Sequence, residues 1–382
     1  MGEWETARGG NLHVSPTPVV NAGRVLKQTL SVARSGLFSS VVICGMRRTG
    51  LPRQDNLSHG RRIDRVGAVY GRRPSVAGRV ITQISWSRSV FRRYSHSDVR
   101  VVNAHSVAVL PVCYLLSRRL GARLIYDTHE LETEVGASTG AQRLILKVIE
   151  QLLIKKCDAV FVVNQSIADW YQRRYRGVHP VAIRNISNVG DSERRTDLRG
   201  LLSVPADKRL FVFVGNFTEG RNIPAMLDAF ADPAVNDHIV FIGAGGEMES
   251  LVSEYGADHE NIHRLPAVPP TEVVSYASGG DVGLCLTQPS CLSHKLSLPN
   301  KAFEYIQASL PFFFTDLPEI ARLLGPAFER WRIDDPASDL VEVITALRSD
   351  AIEETRASMA RVQIPSWDEE AEAMMAVYFT LV

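Results

Sequence analysis

Arg123–Glu134 reads RLIYDTHELETE and sets Asp127, His129, Glu130, Glu132 and Glu134 directly behind an apolar run. Leu124–Tyr126 has the pattern of a buried strand, so Asp127, His129 and Glu130 fall just past a carboxyl end, where doubly wound sheets keep their ligands. A metal centre is one chemistry for such a set. However, H-E-x-x-H is incomplete: the next histidine is His179, and His105, ending the preceding strand, is the one other placed to join. A nucleophilic triad fits less well, because no Ser or Cys sits on a strand-to-helix elbow with His129. The reading therefore assigns no metal, and takes Glu132 and Glu134 as capping or lining the next loop.

Two stretches in the second half carry complementary chemistry. FVFVGNFTEGRNIPAMLDAF, starting at Phe211, reads as strand, glycine turn, loop and helix, with Asn222 as N-cap and Pro224 in the first turn. Arg221 then lies beside a helix start, where free N–H groups and a guanidinium suit a phosphate. In SLPNKAFEYIQASLP, starting at Ser297, Ser297 is placed to cap, Pro299 opens the helix, and Lys301 and Glu304 share a side three residues apart. Glu304 could accept both hydroxyls of a ribose; the plainer reading is an i, i+3 ion pair. VFIGAGGEM fails as a dinucleotide fingerprint because Met248 holds the third glycine position, so Gly243 and Gly245 are read as a close turn.

Short apolar runs alternating with helical patterns position these residues, the signature of parallel sheets with helical crossovers. Strands are expected near Leu12–Val14, Val41–Cys44, Val99–Asn103, Leu124–Tyr126, Ala159–Val163 and Val181–Arg184, with helices over Gly23–Arg34, Val76–Arg92, Ser106–Arg119 and Ala141–Lys156. The polar stretch Asn188–Gly200 breaks the rhythm and reads as a linker. The alternation then restarts with strands at Leu210–Val214, Ile239–Ile242, Val282–Leu286 and Phe312–Thr315, and helices at Pro224–Phe230, Glu247–Tyr255 and Pro299–Ala308. An α/β chain of two doubly wound domains follows, 1–190 and 201–364, with a cleft expected between them. The last amphipathic helix, about 365–382, carries Trp367, Met374 and Tyr378 and is expected to cross back onto the first domain.

The 382 residues suffice for two cores. The five cysteines form no C-x-x-C pair, which argues against a disulfide framework or a zinc knuckle. With no long apolar segment or secretory signal, a cytoplasmic location is expected, and the N-x-S/T triplets at Asn56, Asn164, Asn185 and Asn216 are read as chance matches. Charge is asymmetric: Met1–Gly190 holds 28 Lys and Arg against 12 Asp and Glu, and the remainder holds 15 against 30. A basic first half suits an anionic partner, such as a membrane surface or a phosphorylated acceptor, or else is a solvated arginine-rich face. The segment around Val80, Ile84, Trp86 and Phe91, interleaved with Arg79, Arg88, Arg92 and Arg93, is compatible with an interfacial helix. No basic motif interleaved with aromatics suggests nucleic acid.

YDTHELETE, GNFTEGRNI and LPNKAFEYIQASLP, in that order across a linker, resemble the GT-B-fold glycosyltransferases of the large retaining group called family 4. The resemblance implies two Rossmann-like domains facing across a cleft, the first for an acceptor and the second for a nucleotide-sugar donor, with no cofactor. It implies that His129 contacts the transferred sugar, with Asp127 and Glu130 orienting it or meeting the acceptor hydroxyl. Gly215, Asn216, Arg221, Asn300, Lys301 and Glu304 then form the donor site. The chain departs from the family pattern at Asn216, where an arginine is usual, and at Leu296, where the first of two spaced glutamates is usual; Lys301 is placed to supply the missing positive charge. The expected function is sugar transfer from a nucleotide-diphosphate sugar in bacterial polysaccharide or glycoconjugate synthesis, peripheral to the membrane. Its rivals are a sugar-nucleotide epimerase of the same fold and a catalytically silent nucleotide-sugar-binding relative.

Overall fold

The computed structural model describes residues 9–20, 22–69, 76–136, 140–186 and 195–382. It divides into two compact units, Met1–Asn185 with Asp368–Val382, and Ile186–Trp367. Most of Asn188–Gly200 lies outside the described residues.

The first unit runs β1 (Gly10–Val14), α1 (Gly23–Arg34), β2 (Ser40–Arg47), β3 (Gln54–Asn56), β4 (Arg61–Val69), α2 (Val76–Tyr94), β5 (Val99–His105), α3 (Leu110–Leu120), β6 (Arg123–Asp127), α4 (Gly140–Leu153), β7 (Ala159–Val162), α5 (Gln165–Arg174) and β8 (Val181–Ala182). These strands form a sheet in the order β3-β4-β2-β1-β5-β6-β7-β8, parallel except for β3 against β4. The chain leaves β1 in one direction through β2 and returns on the other side through β5. The carboxyl ends of β1 and β5 are therefore the switch point at which such sheets bind ligands. His13 lies on β1 and His105 ends β5.

The second unit begins with α6 (Leu198–Leu202), β9 (Leu210–Val214), α7 (Ile223–Ala231), β10 (His238–Ile242), α8 (Glu249–Asp258), β11 (Ile262–Leu265) and α9 (Val273–Ala277). It continues through β12 (Val282–Cys285), α10 (Leu292–Lys295), α11 (Asn300–Gln307), β13 (Phe312–Phe314), α12 (Pro318–Leu324), α13 (Pro336–Ala346) and α14 (Ser349–Met359). Its all-parallel order is β11-β10-β9-β12-β13, which puts the switch point at β9 and β12. Every residue of β9, LFVFV, is buried, as a strand covered by helices on both faces requires. Phe211, Phe213, Phe217, Phe230 and Phe241 fill the surrounding core. A Cβ on Gly243 would stand 2.0 Å from the carbonyl oxygen of Gly215, so only glycine lets the loops after β9 and β10 meet.

The final helix, α15 (Trp367–Leu381), belongs over most of its length to the first unit. The Tyr378 hydroxyl donates to Asn103 Oδ1 at 2.6 Å, and the Glu370 carboxylate accepts from the backbone N–H and the guanidinium of Arg184.

Several local expectations are revised. RRIDRVGAV forms β4 although its charges hide the strand pattern. Arg61 and Arg65 are buried because carbonyls take up their N–H groups, and Asp64 accepts from the Tyr94 hydroxyl. Trp86 and Val90 turn into the first unit and belong to its core. Ser297 does not cap α11; its hydroxyl donates to the His294 carbonyl. Asn222 precedes α7 in a left-handed conformation, φ 55°, and its side chain donates to the Leu286 carbonyl instead of capping.

Candidate active site

In the first unit, the carboxyl ends of β1, β5 and β6 bring together His13, His105 and Asp127, all nearly or fully buried. Arg24 of α1, equally buried, donates to both Asp127 oxygens, with its shortest contact at 2.6 Å, and to the Ile183 carbonyl. Losing either partner of such a buried pair costs about 3–5 kcal/mol, because an uncompensated charge remains. Asp127 Oδ2 also lies 3.0 Å from His105 Nδ1 and 3.5 Å from His129 Nε2, and the two imidazoles approach to 3.3 Å. Behind them His13 Nδ1 and His105 Nε2 share a hydrogen bond of 2.8 Å.

Burial works against the Asp127 charge, but Arg24 and the two imidazoles outweigh it and hold the carboxyl well below the carboxylate range. Burial lowers His105, opposed by its bond to Asp127, and lowers His13 well below the usual imidazole range. Asp127 thus stays ionised while His105 and His13 stay neutral behind it. His129 is the member of this set that reaches solvent, its side chain 38% exposed, and Glu130 is exposed beside it.

The remaining carboxylates of the opening stretch work apart from this group. Glu132 accepts from the Ser106 hydroxyl at 2.5 Å and from the Val107 N–H, tying the β6 loop to the entry of α3. Glu134 pairs with Arg143 and Lys147 of α4.

In the second unit the carboxyl ends of β9 and β12 and the start of α11 gather the other residues. Tyr305 pins α11 across the sheet: its hydroxyl donates to the Val212 carbonyl at 3.0 Å and accepts from the Val214 N–H at 3.2 Å. This turns Lys301 and Glu304, both nearly buried, toward the strand ends. The Lys301 ammonium stands 3.5 Å from the centre of the Phe213 ring and beside Gly215, whose φ of +132° is a conformation that favours glycine. Burial pushes Lys301 down to about 7; Arg221 adds to the effect, while Cys285 and Glu304 oppose it. Arg221 donates to the Thr287 hydroxyl at 3.1 Å. Asn216 and Asn300 are exposed at the edges of this group.

His105 Nδ1, Asp127 and His129 Nε2 lie within 4.8 Å of one another, a spacing a metal ion could bridge. Asp127 is already held at both oxygens by the Arg24 cation, which disfavours a second cation on the same carboxylate.

Residues 32–194 match the Glycosyltransferase Family 4 domain family. No curated protein sequence matches the chain. Among solved structures it is similar to sucrose-phosphate synthase from Thermosynechococcus elongatus, with TM-score 0.75 and 17% identity over 98% of this chain and 99% of that one. The chain has the GT-B fold, and its residues 32–194 carry the Glycosyltransferase Family 4 match. Two further similar structures are Anabaena Alr3699/HepE, solved with UDP and glucose, and the lipopolysaccharide outer core galactosyltransferase WaaB. The former has TM-score 0.68 and 12% identity over 97% of this chain and 100% of that one. The latter has TM-score 0.61 and 11% identity over 98% and 100%.

Sequence reasoning missed Arg24, His13 and Thr287 at these strand ends. His13 carried a signal, a titratable residue near the carboxyl end of an apolar strand. Arg24 carried none, because its contact with Asp127 spans more than a hundred positions.

Burial raises Glu132 to about 7, against the pull of Ser106 and Val107. A carboxyl that keeps its proton to higher pH in the folded state contributes stability fully below its ordinary range, and that contribution is lost as pH rises through 7. Glu132→Gln fixes the uncharged form and keeps both acceptor contacts. Thermal melts should therefore nearly coincide at pH 4, with the variant roughly 6–12 °C more stable at pH 8; equal melts at both pH values would refute the assignment.

Proposed function

We propose that this chain is a glycosyltransferase that moves a sugar from a nucleoside-diphosphate sugar to an acceptor hydroxyl, with retention and without a metal. The reading rests on the second-unit cations: Lys301, stripped of water beside Gly215, and Arg221 on Thr287, at a sheet switch point. The similarity to a structure solved with UDP and glucose supports a nucleotide-sugar donor.

Breaking the bond from the sugar to the diphosphate builds charge on the leaving oxygens, and fixed cations that tighten their contacts as it forms lower the barrier. In a dry site each charge-assisted hydrogen bond contributes about 1.5–3 kcal/mol. Near neutrality Lys301 is poised to take a proton when an anion arrives, so its charge appears where the diphosphate needs it. Glu304 is assigned the ribose hydroxyls. His129, exposed and backed by ionised Asp127 and neutral His105, is assigned the transferred sugar and the shielding of its developing positive charge.

We further propose a peripheral role at the membrane, in polysaccharide or glycolipid synthesis, in keeping with the similarity to an outer core galactosyltransferase. Among the described residues no helix is long and apolar enough to cross a bilayer. However, Val80, Ile81 and Ile84 of α2 and Leu144, Ile145, Val148 and Leu152 of α4 stand between 43% and 66% exposed. Arg79, Arg88 and Lys147 accompany them, the combination that binds anionic interfaces.

Two measurements test these readings. Arg221→Ala should lower turnover of donor sugar by roughly 10²-fold, and His129→Ala should abolish transfer while a nucleoside diphosphate still raises the melting temperature; wild-type turnover in either variant removes its assigned role. The protein should float with phosphatidylglycerol vesicles at low salt and not with phosphatidylcholine, and Leu144→Ser with Ile145→Ser should release it; no flotation on either lipid sinks the membrane role.

A further inference from the structure

A second feature occupies the same edge of the first unit's sheet. At the carboxyl ends of β2 and β4 lies a cavity of about 250 Å³, lined by Arg47, Arg48, Thr49, Arg53, Arg65 and Val69 among others. Arg65 is committed to the wall. It donates to the Pro18 carbonyl at 2.7 Å, the Pro52 carbonyl at 3.0 Å and Asp55 at 2.5 Å. Among the described residues, no carboxylate lies within ion-pair distance of Arg47, Arg48 or Arg53. Three guanidiniums around one void repel each other, an arrangement that an anion relieves and that bidentate N–H pairs suit to a phosphate.

The cavity is tied to the residues around Asp127. Arg65 and the Met46 N–H hold the loop after β1 through the Pro18 and Thr17 carbonyls, and that loop leads into α1, which carries Arg24. Between β2 and β6 the sheet order has three strand steps, so at ~4.8 Å each the cavity stands at least ~14 Å from the Asp127 strand end. The strand steps set only a lower bound, because Arg47 lies beyond the level of Cys44, which pairs through Val14 and Ala104 with Tyr126. The acceptor must therefore carry its phosphate well away from its reacting hydroxyl.

We propose that this cavity binds the phosphate group of a phosphorylated acceptor, an inference that rests on the glycosyltransferase reading and names its acceptor class. The phosphate is either that of a soluble phosphorylated compound or that of a lipid headgroup.

Phenylglyoxal labelling of the full-length protein, read arginine by arginine by mass spectrometry, tests it. Inorganic phosphate, against chloride at equal ionic strength, should slow labelling of Arg47, Arg48 and Arg53 by about fivefold once its concentration is four times its dissociation constant. The exposed Arg118 and Arg119 should keep their rates. A parallel arm replaces phosphate with phosphatidylglycerol or phosphatidylcholine vesicles. Protection by free phosphate supports a soluble acceptor, and protection by phosphatidylglycerol alone supports a headgroup. Equal labelling of all five arginines in every arm overturns the proposal. Arg48→Gln with Arg53→Gln should remove the protection of Arg47, and persistent protection of Arg47 in that variant also overturns it. The melting shift caused by a nucleoside diphosphate, recorded in the same samples, reports the second unit separately. Its absence would undo the donor reading, whereas loss of arginine protection alone undoes only the acceptor class.

Discussion

A lysine ammonium deprived of water, lodged between a phenylalanine face and a glycine backbone, is the constraint around which the second unit is organised. Phe213 and Gly215 belong to the central strand and its exit loop, and Tyr305 fastens α11 so that Lys301 has nowhere else to go. Burying a cation this way is unfavourable, and it pushes Lys301 down to about 7. Gly243 serves the same end, since any side chain there would push the Gly215 loop out of place.

The first unit solves the opposite problem by the same physics. Asp127 is a buried anion, stabilised in advance by Arg24 and bonded to the His105 imidazole, which burial lowers. Asp127 bonds His105 at 3.0 Å and lies 3.5 Å from the exposed His129, so it fixes where that imidazole stands. The two switch points thus differ in character: the second unit gathers Lys301 and Arg221, the first an aspartate already paired with Arg24.

Much of this was legible in the sequence, for identifiable reasons. Strands such as LFVFV are unbroken apolar runs, and Asp127, His129, Arg221, Lys301 and Glu304 lie within short segments whose chemistry can be read locally. What escaped was non-local. The Arg24 pairing with Asp127 bridges 103 positions, and Tyr126 of β6 and Tyr171 and Tyr175 of α5 and its end converge on the buried Glu150. β4 was hidden because alternation failed: Arg61, Asp64 and Arg65 are buried, and carbonyl and hydroxyl partners on other segments decide their burial. The caps assigned to Asn222 and Ser297 failed because each side chain found a carbonyl to bond elsewhere.

The claim that Lys301 is a latent cation awaiting a diphosphate is tested most directly by calorimetric titration of a nucleoside diphosphate at pH 8, in two buffers of different ionisation enthalpy. With Lys301 pushed down to about 7, the free protein is largely deprotonated there. Binding should then take up about one proton, seen as a buffer-dependent heat that vanishes in Lys301→Met. Binding with the same heat in both buffers, or with the same proton uptake in the variant, would contradict it.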